Sequence, residues 1–307
     1  MNFLTDVLDK NEIVLYKLRK LYMDSGYKKY RMSKFEEYDL YVQNKDFLIS
    51  SNIITFNDID GKLMALKPDV TLSIIKNTKD NKDDVQKLFY NENVYRASNE
   101  TQSFKEIMQA GVECIGNIDT KCICENIILA AKSLSMIKED YILDISHLGI
   151  IEKITDTLEL SKNGKKAILK AFGEKNVAAI DEILSSEGIE IDKGEPLKIL
   201  IVTYGSFNTI INTLKEKDFY PLIADELKLL EEISETVNKN GLSDKVRIDF
   251  SVINNMSYYN GIAFNGFIYG IPEGVLSGGQ YDKLMNKMGK KSGAIGFAVY
   301  LDVLDRM

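Results

Sequence analysis

Apolar residues along this chain recur with two periods, and the switches between them outline the fold. Over Asp9–Ser25 the period is helical: Val14, Leu18 and Leu21 share one face, Asp9 and Glu12 form a capping-box pattern, and Gly26 ends the run. Strand-forming residues then occupy Tyr27–Met32 and Ile53–Phe56, and a turn at Asp58–Gly61 leads into Lys62–Leu66, which predicts a hairpin. Pro68 is placed to open a short helix, where its missing N–H costs nothing. Strands are predicted at Val85–Tyr95 and Ile107–Ile115 around the polar loop Ala97–Ser103, followed by a helix over Thr120–Ser135 and a strand at Tyr141–Ile145.

From about His147 to Leu242 the texture changes. Lys, Glu, Leu and Ile recur at helical spacing, predicting helices at Ile150–Leu160, Lys165–Phe172, Val177–Ser185 and Leu222–Lys239. Strand formers return at Val246–Ile253, Tyr258–Tyr269 and Gly274–Ser277. The pattern describes an α+β body built on an antiparallel sheet flanked by helices, residues 1–146 and 243–307, interrupted by a mostly helical insertion over 147–242.

Composition narrows the classes open to such a body. With 307 residues, 45% hydrophobic and 28% charged, the chain can bury one large core and a smaller unit. Its formal charge of −7 argues against a large nucleic-acid footprint, because phosphate backbones are gripped by clustered Lys and Arg. Arginine is scarce: Arg19, Arg31, Arg96, Arg247 and Arg306 are all there are. Cys114, Cys122 and Cys124 give no disulfide framework, and the single His147 lies far from the Cys-x-Cys pair, so buried free thiols are expected and no metal or cofactor. No apolar run reaches membrane-spanning length and no signal peptide opens the chain, which predicts a cytoplasmic protein.

Two segments carry candidate chemistry. In the strand Glu106–Gly116, alternation puts Met108, Ala110, Val112 and Cys114 on one face and Ile107, Gln109, Gly111, Glu113 and Ile115 on the other. The second face sets an amide and a carboxylate on either side of a glycine, which in a strand marks close approach by a ligand or another backbone. Read without further context, that face is either a pocket wall or an ordinary exposed polar face. In Tyr258–Phe264, one face presents Tyr259, Gly261 and Ala263, again a polar-tipped residue beside small ones; a core tyrosine over tight packing has the same pattern.

The order of these segments resembles the catalytic core of histidyl-tRNA synthetase, a class II aminoacyl-tRNA synthetase-like fold. Ser25–Glu36 resembles the first class II motif, the dimer-forming one, with Ser33 at its usual proline. Leu66-Lys67-Pro68-Asp69-Val70-Thr71 resembles that family's Leu-Arg-Pro-Glu-Gly-Thr, and Val94-Tyr95-Arg96 with Gln109–Gly116 resembles the second motif, Arg96 standing at the phosphate-holding arginine. Gly278-Gly279-Gln280-Tyr281-Asp282, Gly293–Ala298 and Leu301–Leu304 follow the third. The resemblance implies a histidine site made by Asp69, Thr71 and Gln109 at the amino group, Glu113 at the imidazole, and Tyr258 and Tyr259 as wall.

The departures are as informative as the matches. Gln280 replaces the arginine of Gly-Gly-Arg-Tyr-Asp, Asn254 the activating arginine, and Val303 the arginine that holds ATP. Losing one charged donor to a transition state costs on the order of a hundred- to a thousandfold in rate, so adenylation should be lost. The chain also ends at Met307, just past the third motif, which implies that the anticodon-binding domain is absent. Loss of the nucleotide side beside a kept amino-acid side resembles the regulatory subunits of ATP phosphoribosyltransferase. That resemblance implies a non-catalytic chain, homodimeric through its synthetase-like core. It would activate a short-form catalytic subunit in the first step of histidine biosynthesis, with histidine as effector and without tRNA or membrane. The rival reading is a truncated synthetase-like enzyme that activates an amino acid with ATP, using Lys67 and the lysines over 283–291 in place of arginine.

Overall fold

Asp9 starts the first helix, α1 (Lys10–Asp24), and does so with a reciprocal capping box. Its carboxylate accepts from Glu12 N at 2.8 Å, and its own N–H donates to Glu12 Oε2 at 3.1 Å. Replacing it, Asp9→Ala, should cost about 1 kcal/mol in urea unfolding; an unchanged midpoint would remove the cap's energetic role. The computed structural model describes residues 7–48, 52–80, 84–97, 103–253 and 258–306. Among these no helix is long and apolar enough to cross a membrane.

After α1 come β1 (Lys28–Lys29), β2 (Phe35–Glu37), α2 (Tyr38–Gln43), β3 (Thr55–Asn57), β4 (Leu63–Leu66) and α3 (Thr71–Asn77). The two long strands β5 (Gln86–Ala97) and β6 (Phe104–Gly116) lead to α4 (Thr120–Ile137) and β7 (Tyr141–His147). A helical run follows: α5 (Leu148–Asp156), α6 (Lys162–Gly173), α7 (Val177–Ser186), α8 (Glu195–Val202), the two-residue β8 (Tyr204–Gly205), α9 (Phe207–Lys215) and α10 (Tyr220–Lys239). The chain closes with β9 (Val246–Asp249), β10 (Asn260–Ile268), β11 (Leu276–Gln280), α11 (Asp282–Lys287) and β12 (Gly293–Tyr300).

Nine strands form one sheet in the order β1-β5-β6-β12-β11-β10-β7-β9-β8, while β2, β4 and β3 make a small antiparallel sheet that contains the expected hairpin. The large sheet is antiparallel except at β1/β5 and β7/β9. The second exception arises because the whole helical run connects β7 to β9, and only a long crossover lets strands pair in parallel. On one face α4 lies against β7, β10 and β12, burying Ile123, Ile127, Ala130 and Leu134 at helical spacing. Apolar residues of α1 and of the helices between β7 and β9 join the same core. A smaller core fills the other face, where Tyr41, Leu72, Ile75 and Met285 cover Tyr90, Val94 and Ile115. The candidate cavity opens on this second face.

Local pattern was overruled in several places. Pro68 does not open α3; its carbonyl accepts from Arg96, and the helix begins at Thr71 with the Asp69 side chain accepting from Leu72 N at 2.9 Å. Of Tyr27–Met32 only Lys28 and Lys29 pair in register with β5. Strand β9 stops at Asp249, whose carboxylate accepts from Ser251 N at 2.9 Å and turns the chain. Hydrophobic period does not announce β12, with its Gly-Ala-Ile-Gly-Phe run; its pairing on both sides, with β6 and β11, makes it a strand.

Candidate functional site

The alternation of β6 places its two faces in different cores. Ala110, Val112 and Cys114 pack toward α4, while Gln109 and Glu113 point to the opposite side, each only 2% exposed. That decides between the two readings of the second face: it is buried. Gly111 is needed there, because an added Cβ would overlap the Tyr90 hydroxyl and the Phe297 carbonyl. The close approach it allows is therefore a neighbouring ring and strand.

Glu113 is the centre of the site. Its Oε1 accepts from Thr71 Oγ1 at 2.8 Å, at the first turn of α3, and its Oε2 accepts from the Tyr281 hydroxyl at 2.5 Å. Directly across in β12 sits Gly296, the register partner of Glu113, whose missing side chain leaves room for the carboxylate. No cation meets this acid among the described residues. Burial therefore pushes its pKa up to about 8, against the lowering by the two hydroxyls, with Asp69 raising it further. A pKa of about 8 favours the neutral acid over the carboxylate at neutral pH.

Around Glu113 lies a cavity of about 160 Å³. Cavities near 150 Å³ hold a single benzene-sized ring, so this one suits a small molecule. Asp69, Thr71 and Arg96 line one side, Gln109 and Glu113 the floor, and Tyr258, Tyr259 and Tyr281 an aromatic wall. The Tyr258 ring stands 4.7 Å from that of Tyr259 and 5.7 Å from that of Tyr281. Arg96 Nε donates to the Pro68 carbonyl at 2.8 Å, and Nη2 lies 4.0 Å from Asp69 Oδ2. Burial raises the Asp69 pKa, and Arg96 works against that rise. Gln109 Nε2 is buried with no partner, a donor waiting for an acceptor.

All six ligand candidates and Arg96 are thus brought to one cavity. Sequence reasoning missed Tyr90, Tyr281 and Tyr300, which also line it. Tyr281 stood inside the Gly278–Asp282 motif, where attention to the missing arginine hid the residue beside it. The Thr71 hydroxyl donates a hydrogen bond to Glu113, which couples the two ends assigned to amino group and ring.

The positions where arginines are missing do other work. Gln280 points away from the cavity: its Oε1 accepts from Ile262 N at 2.9 Å and spans the bulge in β10 where Gly261 adopts φ +61. Val303 packs against the large core. Asn254 lies outside the described residues. Four of the five lysines invoked by the rival reading are engaged elsewhere. Lys67 is fully buried on Glu92, with 2.5 Å between Nζ and Oε2; Lys283 meets Glu152, Lys287 meets Asp46, and Lys290 donates to the Thr78 carbonyl.

Sheet and motif order together define a class II synthetase-like core in which Gln280 and Val303 stand at two of the family's arginine positions while Arg96 is kept. The histidyl-tRNA synthetase family profile matches residues 3–304, and the chain belongs to that family. It is 29% identical over 306 residues to an ATP phosphoribosyltransferase regulatory subunit from Caldanaerobacter subterraneus subsp. tengcongensis, spanning 98% of this chain and 79% of that one. In structure it is similar to an ATP phosphoribosyltransferase regulatory subunit/histidyl-tRNA synthetase from Bacillus halodurans, with a TM-score of 0.81 at 23% identity over 96% of this chain and 78% of that one. It also matches a chain of the ATP phosphoribosyl transferase complex from Thermotoga maritima, with a TM-score of 0.73 at 19% identity, covering 96% of this chain and 98% of that one.

Proposed function

We propose that this protein is the non-catalytic regulatory subunit of ATP phosphoribosyltransferase. It activates a short-form catalytic subunit in the first step of histidine biosynthesis, in the cytoplasm, and contributes to feedback inhibition by histidine. Dimerisation through the synthetase-like core belongs to the same reading. One observation carries it: the acid, amide and tyrosines of an amino-acid site converge on one cavity, while Gln280 and Val303 turn the ATP-side positions to structural use. Transition-state stabilisation of phosphate chemistry needs charged donors aimed at the developing charge, and Arg96 is the one cation lining the cavity among the described residues.

In this reading histidine lies over the sheet, its ring nitrogen on Glu113, its amino group near Asp69, Thr71 and Gln109, and Tyr258 and Tyr259 closing the wall. Inhibition follows only if the ligand binds one conformation of the assembly better than another, since equal binding shifts nothing. The test is to add the purified chain to a short-form phosphoribosyltransferase. Turnover should appear or rise at least about tenfold, and histidine should lower it. Histidine-dependent pyrophosphate exchange by this chain alone, with no effect on the transferase, would establish the synthetase reading instead.

A further inference from the structure

Behind the strand that carries Glu113, on the side away from the cavity, two thiols meet. Cys114 packs toward α4, where Asn126 Nδ2 lies 3.8 Å from its Sγ. Lys87, the register partner of Cys114 on β5, reaches Glu125 of the same helix at 2.6 Å. Cys122 stands one turn before Asn126, so both share the helix face turned to β6. Its thiol accepts a hydrogen bond from that of Cys114. The Tyr27 hydroxyl lies 3.0 Å from Cys114 Sγ, and Lys87 Nζ stands 5.7 Å from the centre of the Tyr27 ring. Cys124, two residues further on, faces another way, its Sγ donating to the Glu232 carbonyl at 3.9 Å.

The thiolate, not the thiol, is the nucleophile in sulfur chemistry. The bond from Cys114 holds the Cys122 thiol below its ordinary range against burial and Asp119, and the Lys87 ammonium adds to the fall. Cys114, the donor of that bond, is raised by giving it and by its own burial. Burial also raises Cys124. The three cysteines are therefore unequal: one is primed to ionise, one stands against it, and one is set apart. Cys122 is 7% exposed and Cys114 1%, which admits only a small oxidant.

We propose that Cys114 and Cys122 are a peroxide-responsive dithiol that closes into a disulfide between β6 and α4. The Cys122 thiolate attacks a peroxide oxygen, forming S–O as O–O breaks. The hydroxide released takes up the proton that Cys122 had lost, and a sulfenic acid remains. The Cys114 sulfur then attacks the sulfenic sulfur: S–S forms, S–O breaks, and the departing hydroxide leaves as water with the Cys114 proton. Two thiols are oxidised, hydrogen peroxide is reduced to water, and an added thiol reverses the bond. The closed form ties the first turn of α4 to the strand whose next residue, Glu113, faces the cavity.

The test is to expose the native full chain to hydrogen peroxide, block the remaining thiols with iodoacetamide and map the tryptic peptides by mass. The peptide Glu106–Lys121 should appear joined to Cys122–Lys132, with Cys124 alkylated, and dithiothreitol should separate the two. Cys114→Ser and Cys122→Ser should each abolish the cross-link, while Cys124→Ser should leave it intact. A chain that reacts only after unfolding in urea overturns the proposal. So does a cross-link that uses Cys124 or joins two chains, or a Cys122 sulfinic acid beside an alkylated Cys114.

Discussion

Glu113→Gln is expected to flatten the fall in stability that the wild-type protein shows as pH rises through neutrality, and to weaken ligand binding. The acid's pKa is raised from an ordinary 4.5 to about 8 in the folded chain, chiefly by burial. Between those values the folded state holds a proton that the unfolded state has released. Stability therefore declines with rising pH, by about 1.4 kcal/mol per unit where the difference is a full proton. The loss is complete above the folded pKa and absent below the unfolded one. Asp69, also raised by burial, adds a decline of the same sign, while Tyr90, Tyr258, Tyr259 and Tyr281 are pushed upward and stay neutral through this range.

Glutamine keeps the size and the hydrogen-bonding capacity toward Thr71 and Tyr281, whose hydroxyls can turn to accept, but it has no proton to lose. Urea unfolding of wild type and variant from about pH 5 to pH 9 should thus give converging curves at the acid end, with the variant the more stable by a few kcal/mol at the basic end. Parallel curves would mean that Glu113 is ionised throughout and that some cation near it has been overlooked. Histidine affinity should fall about ten- to a hundredfold, the value of a charge-assisted hydrogen bond.

Gly296→Ala should damage the same site through sterics. Gly296 stands opposite Glu113 across the β6–β12 ladder, and a Cβ there would overlap Glu113 Oε2 and the Val112 carbonyl, with Glu113 Cδ at 2.8 Å. The side chain could swing away, but the carbonyl belongs to the neighbouring strand, so the ladder itself must open. Overpacking of this kind costs about 1–3 kcal/mol, and pushing the carboxylate into the cavity should abolish ligand binding. Gly274→Ala is the control. Its nearest neighbour would lie 3.8 Å from the new Cβ, an ordinary contact, so its stability should stay within about 0.5 kcal/mol of wild type. Equal behaviour of the two variants would mean that the empty space at position 296 does not shape the acid's seat.

The helices were the most legible part of the chain. The α1 capping box, the stripe of α4 and the ends of α7 follow from side chains three and four apart, which share a face whatever the rest of the molecule does. Short helices α2, α8 and α9 escaped notice because so few turns hold too little periodic signal. In β6, period two correctly sorted Gln109 and Glu113 from Val112 and Cys114. It could not say whether the polar face met water or protein.

That choice belongs to the tertiary structure, as does most of the site's chemistry. The Tyr281 hydroxyl reaches Glu113 across 168 residues of sequence, and Thr71 reaches it across 42. Gln280 and Val303 were visible in the sequence as missing arginines, yet their present tasks, bridging the β10 bulge and packing into the core, exist only once β10, β11 and the large core are assembled. Sequence by itself determined which residues could share a face and which charges were gone. Folding decided which of those faces were dry, and with that the protonation of Glu113, because desolvation depends on neighbours that strand pairing brings from distant parts of the chain.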